Sequence, residues 1–223
     1  MKLGVLFSGG KDSCYATYLA KQMGHEITCL ISVKSENKES YMFHTPSIDR
    51  VKEQAVVMGI PLMVVKTKGE KEKELVDLEK VIVDAKGKYK IEGIVTGAVG
   101  SVYQASRIQK ICDKFNLECL NPLWQMDQEE LLKKLIEEKF EVVIVGVFAY
   151  PLDEKWLGRT IDSNFIEEVV KLKEKWGIHM AGEGGEFESF VLNCSLFKRG
   201  LKIVGYKDVS EGENSWRREV EVK

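Results

Sequence analysis

The N-terminal stretch Leu3-Gly4-Val5-Leu6-Phe7 followed at once by Ser8-Gly9-Gly10-Lys11-Asp12-Ser13 constrains this chain more than any other feature. A short apolar run of this kind reads as a strand, and the polar glycine pair ends it. Helical spacing from about Ser13 to Met23 follows, with Gly24 suited to the left-handed position past the helix end. Strand, tight turn and helix at the very start predict a parallel α/β sheet, with the turn at its carboxyl edge, where such sheets bind ligands.

The same alternation continues. Ile27–Val33 reads as a second strand and residues 34–44 as polar and irregular. Thr45-Pro46 suits the N-cap and first turn of a helix that runs to Met58, stopped by Gly59. Leu62–Lys66 is a third strand, Glu70 to Ala85 a charged amphipathic helix, Gly93–Gly97 a fourth strand, and Val102 to Phe115 another helix. Asn121-Pro122-Leu123-Trp124 breaks the pattern. Asp127 and Glu130 then have capping-box spacing for a helix to Glu138. Val142–Phe148 is a buried strand, Asp162 caps a helix to Trp176, and Phe190–Asn193, Leu201–Tyr206 and Ser215–Val222 read as strands. The expected architecture is a Rossmann-like parallel-sheet domain with helices on both faces (residues 1–121) and a smaller α+β domain (residues 122–223).

Charge and composition exclude more than they assign. The 223 residues carry 33 Lys+Arg against 35 Asp+Glu, a net charge of −2, which argues against bulk nucleic-acid binding. Lys (27) far exceeds Arg (6), Glu (26) exceeds Asp (9), and Asn and Gln stand at 6 each, a bias shared with thermophile proteins. There is no apolar run of transmembrane length and no signal-peptide pattern, so a cytoplasmic location is expected. The five cysteines form no Cys-x-x-Cys pair.

Three segments carry chemistry. In Phe7–Ser13, Gly9 and Gly10 let backbone N–H groups approach an anion, Ser8 and Ser13 add hydroxyls, Lys11 adds a cation and the helix N-terminus its dipole. The order is not a Walker A loop: Val5 stands where that loop has its first glycine, and Asp12 follows Lys11. Gly97 to Arg107 is a second strand-to-helix edge, with Tyr103, Gln104 and Arg107 about one turn apart. Gly182-Glu183-Gly184-Gly185-Glu186-Phe187-Glu188-Ser189 places three carboxylates among three glycines. By chemistry alone this last segment is as readily a solvated turn as a site for a metal ion or an ammonium group.

Ser-Gly-Gly-x-Asp-Ser resembles the pyrophosphate loop of the N-type ATP pyrophosphatases. That resemblance implies that residues 8–13 hold the departing pyrophosphate and that Asp12 lies near Mg²⁺. The three segments together, with Ser40-Tyr41-Met42-Phe43-His44, Leu123-Trp124-Gln125, Asp127-Gln128 and Leu157-Gly158, are similar to the diphthine–ammonia ligase family over nearly the whole chain. Ala105 departs from the family, whose members often carry a second basic residue there.

The resemblance implies an ATP-dependent carbon–nitrogen ligase that adenylates the carboxylate of diphthine on elongation factor 2 and amidates it with ammonia. Its implied catalytic residues are Lys11, Asp12, Arg107, Glu183 and Glu186. Its implied nucleotide site is Phe7 to Ser13, Ser32, Val33, Ser40, Met42, His44, Gly97, Tyr103 and Gln104. Gly184, Gly185 and Glu188 are implied for the substrate, and Asp12 for the metal. ATP and Mg²⁺ are the expected cofactors, and a homodimer is an open assembly state. Two alternatives stand beside this reading. One is a tRNA-modifying adenylase of the same superfamily, which usually shows paired catalytic cysteines or basic segments. The other is a nucleotide-binding regulator without turnover.

Overall fold

The structure is a computed structural model, and it describes residues 1–35, 50–68 and 73–223. Five parallel strands form the first sheet: β1 (Lys2–Leu6), β2 (Glu26–Ser35), β3 (Leu62–Thr67), β4 (Gly93–Val95) and β5 (Glu118–Leu120), in the order β3-β2-β1-β4-β5. The crossover helices are α1 (Lys11–Gln22), α2 (Val51–Met58), α3 (Lys73–Tyr89) and α4 (Val102–Lys114). The order reverses between β1 and β4, and parallel α/β sheets open a ligand crevice at such a point. The turn after β1 and the turn after β4 therefore face each other.

The second sheet has the order β7-β6-β9-β8 and is antiparallel. Its strands are β6 (Glu141–Val147), β7 (Phe187–Asn193), β8 (Ile203–Gly212) and β9 (Ser215–Val222), with α5 (Gln128–Glu137) and α6 (Ser163–Trp176). Among the described residues, no helix is long and apolar enough to cross a membrane.

Local chemistry sets most of these limits. Gly59 and Gly177 end α2 and α6 at φ of 69° and 70°, a left-handed conformation in which a Cβ costs energy. Asp127 and Asp162 cap α5 and α6: their carboxylates accept the N–H groups of Glu129 and Glu130, and of Phe165. Ser101 caps α4 by accepting from the Gln104 N–H.

Three expectations need correction. β5 is an additional strand. The third helix runs on past Ala85 to Tyr89, where Lys86 reaches the Phe115 carbonyl at 2.5 Å, and its expected start at Glu70 lies outside the described residues. Residues 187–189 belong to strand β7 rather than to a loop before it. The Thr45-Pro46 helix start lies outside the described residues.

Two cores result. One face of the first sheet is closed by α3 and α4, through Cys29, Ile31, Val33, Leu78, Ile82, Ile94, Ile108 and Cys112. The other face carries α1 and α2, and its apolar cluster runs on without interruption into the second sheet and α5 and α6. Tyr15 and Tyr18 of α1 meet Phe140 edge-on at 5.5 and 5.9 Å, which joins the first helix to the entry of β6. The two sheets thus share one hydrophobic interior, and α1 touches β7 directly.

Candidate active site

The phosphate-type loop is built from both sheets. Gly9 adopts φ of 81°, which turns the chain sharply after β1. Its carbonyl accepts the Val191 N–H at 3.1 Å and the Gln54 side-chain amide at 2.9 Å. The same amide reaches the Val191 carbonyl at 2.8 Å. Lys11 donates its backbone N–H to Ser189 Oγ at 3.2 Å. Inside the loop, Ser13 Oγ donates to the Gly10 carbonyl, stands 3.2 Å from Ser8 Oγ and accepts the Ser8 N–H. Beneath it, Ser32 Oγ donates to the Phe7 carbonyl at 2.5 Å, and Val33 is buried on the same strand. Gln54 was not singled out from sequence, and Ser189 stood there only as the last residue of the carboxylate segment, with no role of its own. Their contacts span 45 and 178 positions, so no local signal reveals them. A Gln54→Leu variant is expected to lose about 2–3 kcal/mol, since a buried carbonyl loses its donor. Urea unfolding of variant and parent measures this.

Lys11 and Asp12 form the charged tip. Lys11 Nζ lies 2.8 Å from Asp12 Oδ2 and 5.5 Å from the centroid of the Phe187 ring. Asp12 Oδ1 is buried and has no hydrogen-bond partner among the described residues. An ionised oxygen left without a donor suits a hard cation, so the residues present fit Mg²⁺. No group of three or more His, Cys, Asp or Glu side chains set to hold a metal occurs among the described residues. A cation at Asp12 would therefore draw its remaining ligands from phosphate and water.

The turn after β4 closes against this tip. A Cβ on Gly97 would lie 2.8 Å from Ser13 N and 2.9 Å from the Asp12 carbonyl carbon, so only glycine permits the approach. Further on, the Gly100 N–H donates to Glu183 Oε2 at 3.2 Å, which brings the carboxylate segment to the same edge. Burial raises the Glu183 carboxyl above the usual range, and the Asp12 charge raises it further. Glu183 ionises more readily in the unfolded chain, so its burial penalises the fold at pH above its folded pKa, and the penalty is gone below the unfolded value. Glu183→Gln is expected to raise the thermal midpoint at pH 8, and the gain should vanish near pH 4. Melting curves across that interval test it.

The other carboxylates take different positions. Glu186 is buried, and its two oxygens accept the N–H groups of His179 (2.8 Å) and Gly184 (2.9 Å), which ties the loop to itself. Gly185, at φ of 83°, completes that turn. Glu188 lies on β7 in one row with Gly146 of β6 and Arg217 of β9. Burial lifts its carboxyl well above the ordinary range, and Arg217 opposes the shift.

The structure thus brings Phe7 to Ser13, Ser32, Gly97, Glu183 and the 184–186 turn to one edge. On α4, Arg107 folds back over the Tyr103 ring at 3.4 Å from its centroid, and Gln104 supplies its backbone N–H to Ser101. Ser40, Met42 and His44 lie outside the described residues.

Comparison with known proteins finds matches in both halves of the chain. A model described as the diphthamide synthase N-terminal domain matches residues 1–119, and one for the diphthamide synthase C-terminal domain matches residues 127–222. The chain is 35% identical to a diphthine–ammonia ligase of Homo sapiens, over 91% of this chain and 83% of that protein. It is 30% identical to one of Danio rerio, over 97% and 91%. A Schizosaccharomyces pombe relative of the same name is 31% identical over 95% of this chain but only 37% of its own greater length. Matched in both halves by these models, and by relatives across more than nine-tenths of its length, the chain belongs to the diphthine–ammonia ligase family.

Proposed function

We propose that the protein is an ATP-dependent ligase that converts the carboxylate of diphthine, on elongation factor 2, to the amide with ammonia, forming AMP and pyrophosphate. The observation that carries this reading is the meeting of the glycine loop, the Lys11–Asp12 tip and Glu183 at one sheet edge, in a chain of this family. A carboxylate is a poor acyl donor because oxide does not leave. Adenylation replaces that leaving group with AMP. The carboxylate oxygen attacks the α-phosphorus while the bond to pyrophosphate breaks. Ammonia then attacks the acyl carbon, the carbon–oxygen bond to AMP breaks, and the nitrogen loses a proton.

In this reading the glycine loop of residues 8–13, with the Ser8 and Ser13 hydroxyls and the Lys11 ammonium, holds the pyrophosphate as its charge develops. Asp12 holds Mg²⁺, which neutralises phosphate charge when bound. Glu183, Gly184, Gly185, Glu186 and Glu188 face the diphthine and ammonia side. Arg107, Tyr103 and Gln104 are assigned to the nucleotide edge. Residues 1–121 serve as the nucleotide part and 122–223 as the substrate part. A homodimer is the assembly state to test by light scattering.

Incubation with ATP, Mg²⁺, ammonium and diphthine-bearing elongation factor 2 is expected to yield equal AMP and amide, seen by chromatography and a mass change on the factor. ADP as product, or AMP without amide, overturns the reading. Thiolation or other modification of tRNA under the same conditions favours the superfamily alternative.

A further inference from the structure

The loop that carries Glu183 and Glu186 is held from outside by a residue with no role in the reading above. Gln128, the first residue of α5, makes two bonds through one side-chain amide. Its Oε1 accepts the Ala181 N–H at 3.2 Å, and its Nε2 lies 3.0 Å from His179 Nδ1. The backbone N–H of His179 in turn donates to Glu186 Oε1.

These bonds determine one another. The Ala181 N–H is a donor only, so the oxygen of the Gln128 amide must face it. The amide nitrogen is then left toward His179, and it can only donate. In this orientation His179 Nδ1 is the acceptor. A reversed amide would set donor against donor at Ala181. Asp127, the cap of α5, fixes where the helix begins and so where Gln128 stands.

We propose that Gln128 is a positioning residue of the amidation. It pins the 179–186 loop against α5 at two points, Ala181 and His179, and so holds in place the two carboxylates that this loop carries. Glu186 is tied to the same stretch through the His179 N–H, and Glu183 reaches from it to the Gly100 N–H at the edge of the phosphate loop. A site group displaced by a fraction of an ångström loses much of its effect on turnover, so the anchor of this loop bears on the amidation without touching the reacting atoms.

This inference rests on the ligase reading, and its test separates the two. In Gln128→Ala, kcat for amide formation is expected to fall between about tenfold and a hundredfold, the scale of a displaced site group. The KM for ATP should stay within about twofold, because the phosphate loop has its own supports. The position is on the helix surface, so the thermal midpoint should hardly move. His179→Ala should lower kcat in the same way, and the double variant should lose little more than either single one, as partners in one network do. Gln128→Glu keeps the acceptor for Ala181 and removes the donor for His179. Its kcat should fall between those of the parent and Gln128→Ala.

An unchanged kcat in Gln128→Ala overturns the proposal, as does a loss confined to the KM for ATP or strictly additive losses in the double variant. Should the wild-type chain not amidate diphthine at all, the ligase reading fails by itself. Hydrogen exchange of residues 180–186 then decides the pinning role. Lost protection in Gln128→Ala supports it, and unchanged protection overturns it.

Discussion

Asp12→Asn is expected to lower AMP formation at least about a hundredfold, a loss on the scale of several kcal/mol of charge stabilisation. The reason is the buried Oδ1, which has no donor among the described residues while Oδ2 pairs with Lys11. Asparagine keeps the shape but offers a neutral oxygen in place of a carboxylate. The variant also strands the buried Lys11 ammonium, and losing one partner of a buried pair costs about 3–5 kcal/mol at the upper end. Stability and turnover must therefore be separated. Lys11→Met with Asp12→Asn removes both charges, and is expected to restore most of the thermal midpoint but none of the activity. Calorimetry and a Mg²⁺ titration of AMP formation read the two quantities. Parental turnover with parental Mg²⁺ dependence in Asp12→Asn would remove Asp12 from the reaction.

Gly97→Ala is expected to weaken ATP binding and to cost about 1–3 kcal/mol, the range for an added methyl that backbone must accommodate. Its Cβ would stand 2.8 Å from Ser13 N, and the opposing atoms are main chain, which cannot swing aside as a side-chain tip can. The first turn of α1 must move, and with it the N–H groups of the loop. Two controls share the substitution without the contact. Gly100→Ala meets nothing within 4 Å and should bind ATP as the parent does. Gly87→Ala, within α3 and also in open space, should stabilise the fold by about 1 kcal/mol through helix propensity. Isothermal titration with ATP and urea unfolding compare the three. Equal behaviour of Gly97→Ala and Gly100→Ala would mean that the approach of β4 to α1 does not shape the loop.

Features legible in the sequence were those encoded by a few neighbouring residues. Asp127, Asp162, Gly59 and Gly177 mark helix ends because capping and left-handed turns act over one to four positions. The glycine loop and its place after the first strand were legible for the same reason. β5 was not, since Glu118-Cys119-Leu120 is three residues long and exists by pairing with β4. β8 extends through Lys207, Asp208 and Glu211, a stretch too charged to read as a strand. It is held by its ladder with β9 and by the paired Arg218–Asp208 contacts at 2.7 Å. At the site, the loop's own residues could be given roles, but the contacts made by Gln54, Ser189 and Gln128 arise only in the tertiary fold. Glu188 and Ser189 appeared as loop residues because the glycines before them hid the start of β7.

The carbonyl of Gly9 accepts from the second sheet, and the N–H of Lys11 donates to a serine on that sheet. The nucleotide loop is therefore not portable. Residues 1–121 expressed alone would keep the glycine sequence and lose the strand that sets its curvature. A chimera that exchanges this half with a relative's would have to meet a hydroxyl at 189 and the main-chain groups of 191. Two segments that lie 178 positions apart in the chain thus act as one part, and any new acceptor chemistry grafted onto β7 will be felt first in how the molecule grips phosphate.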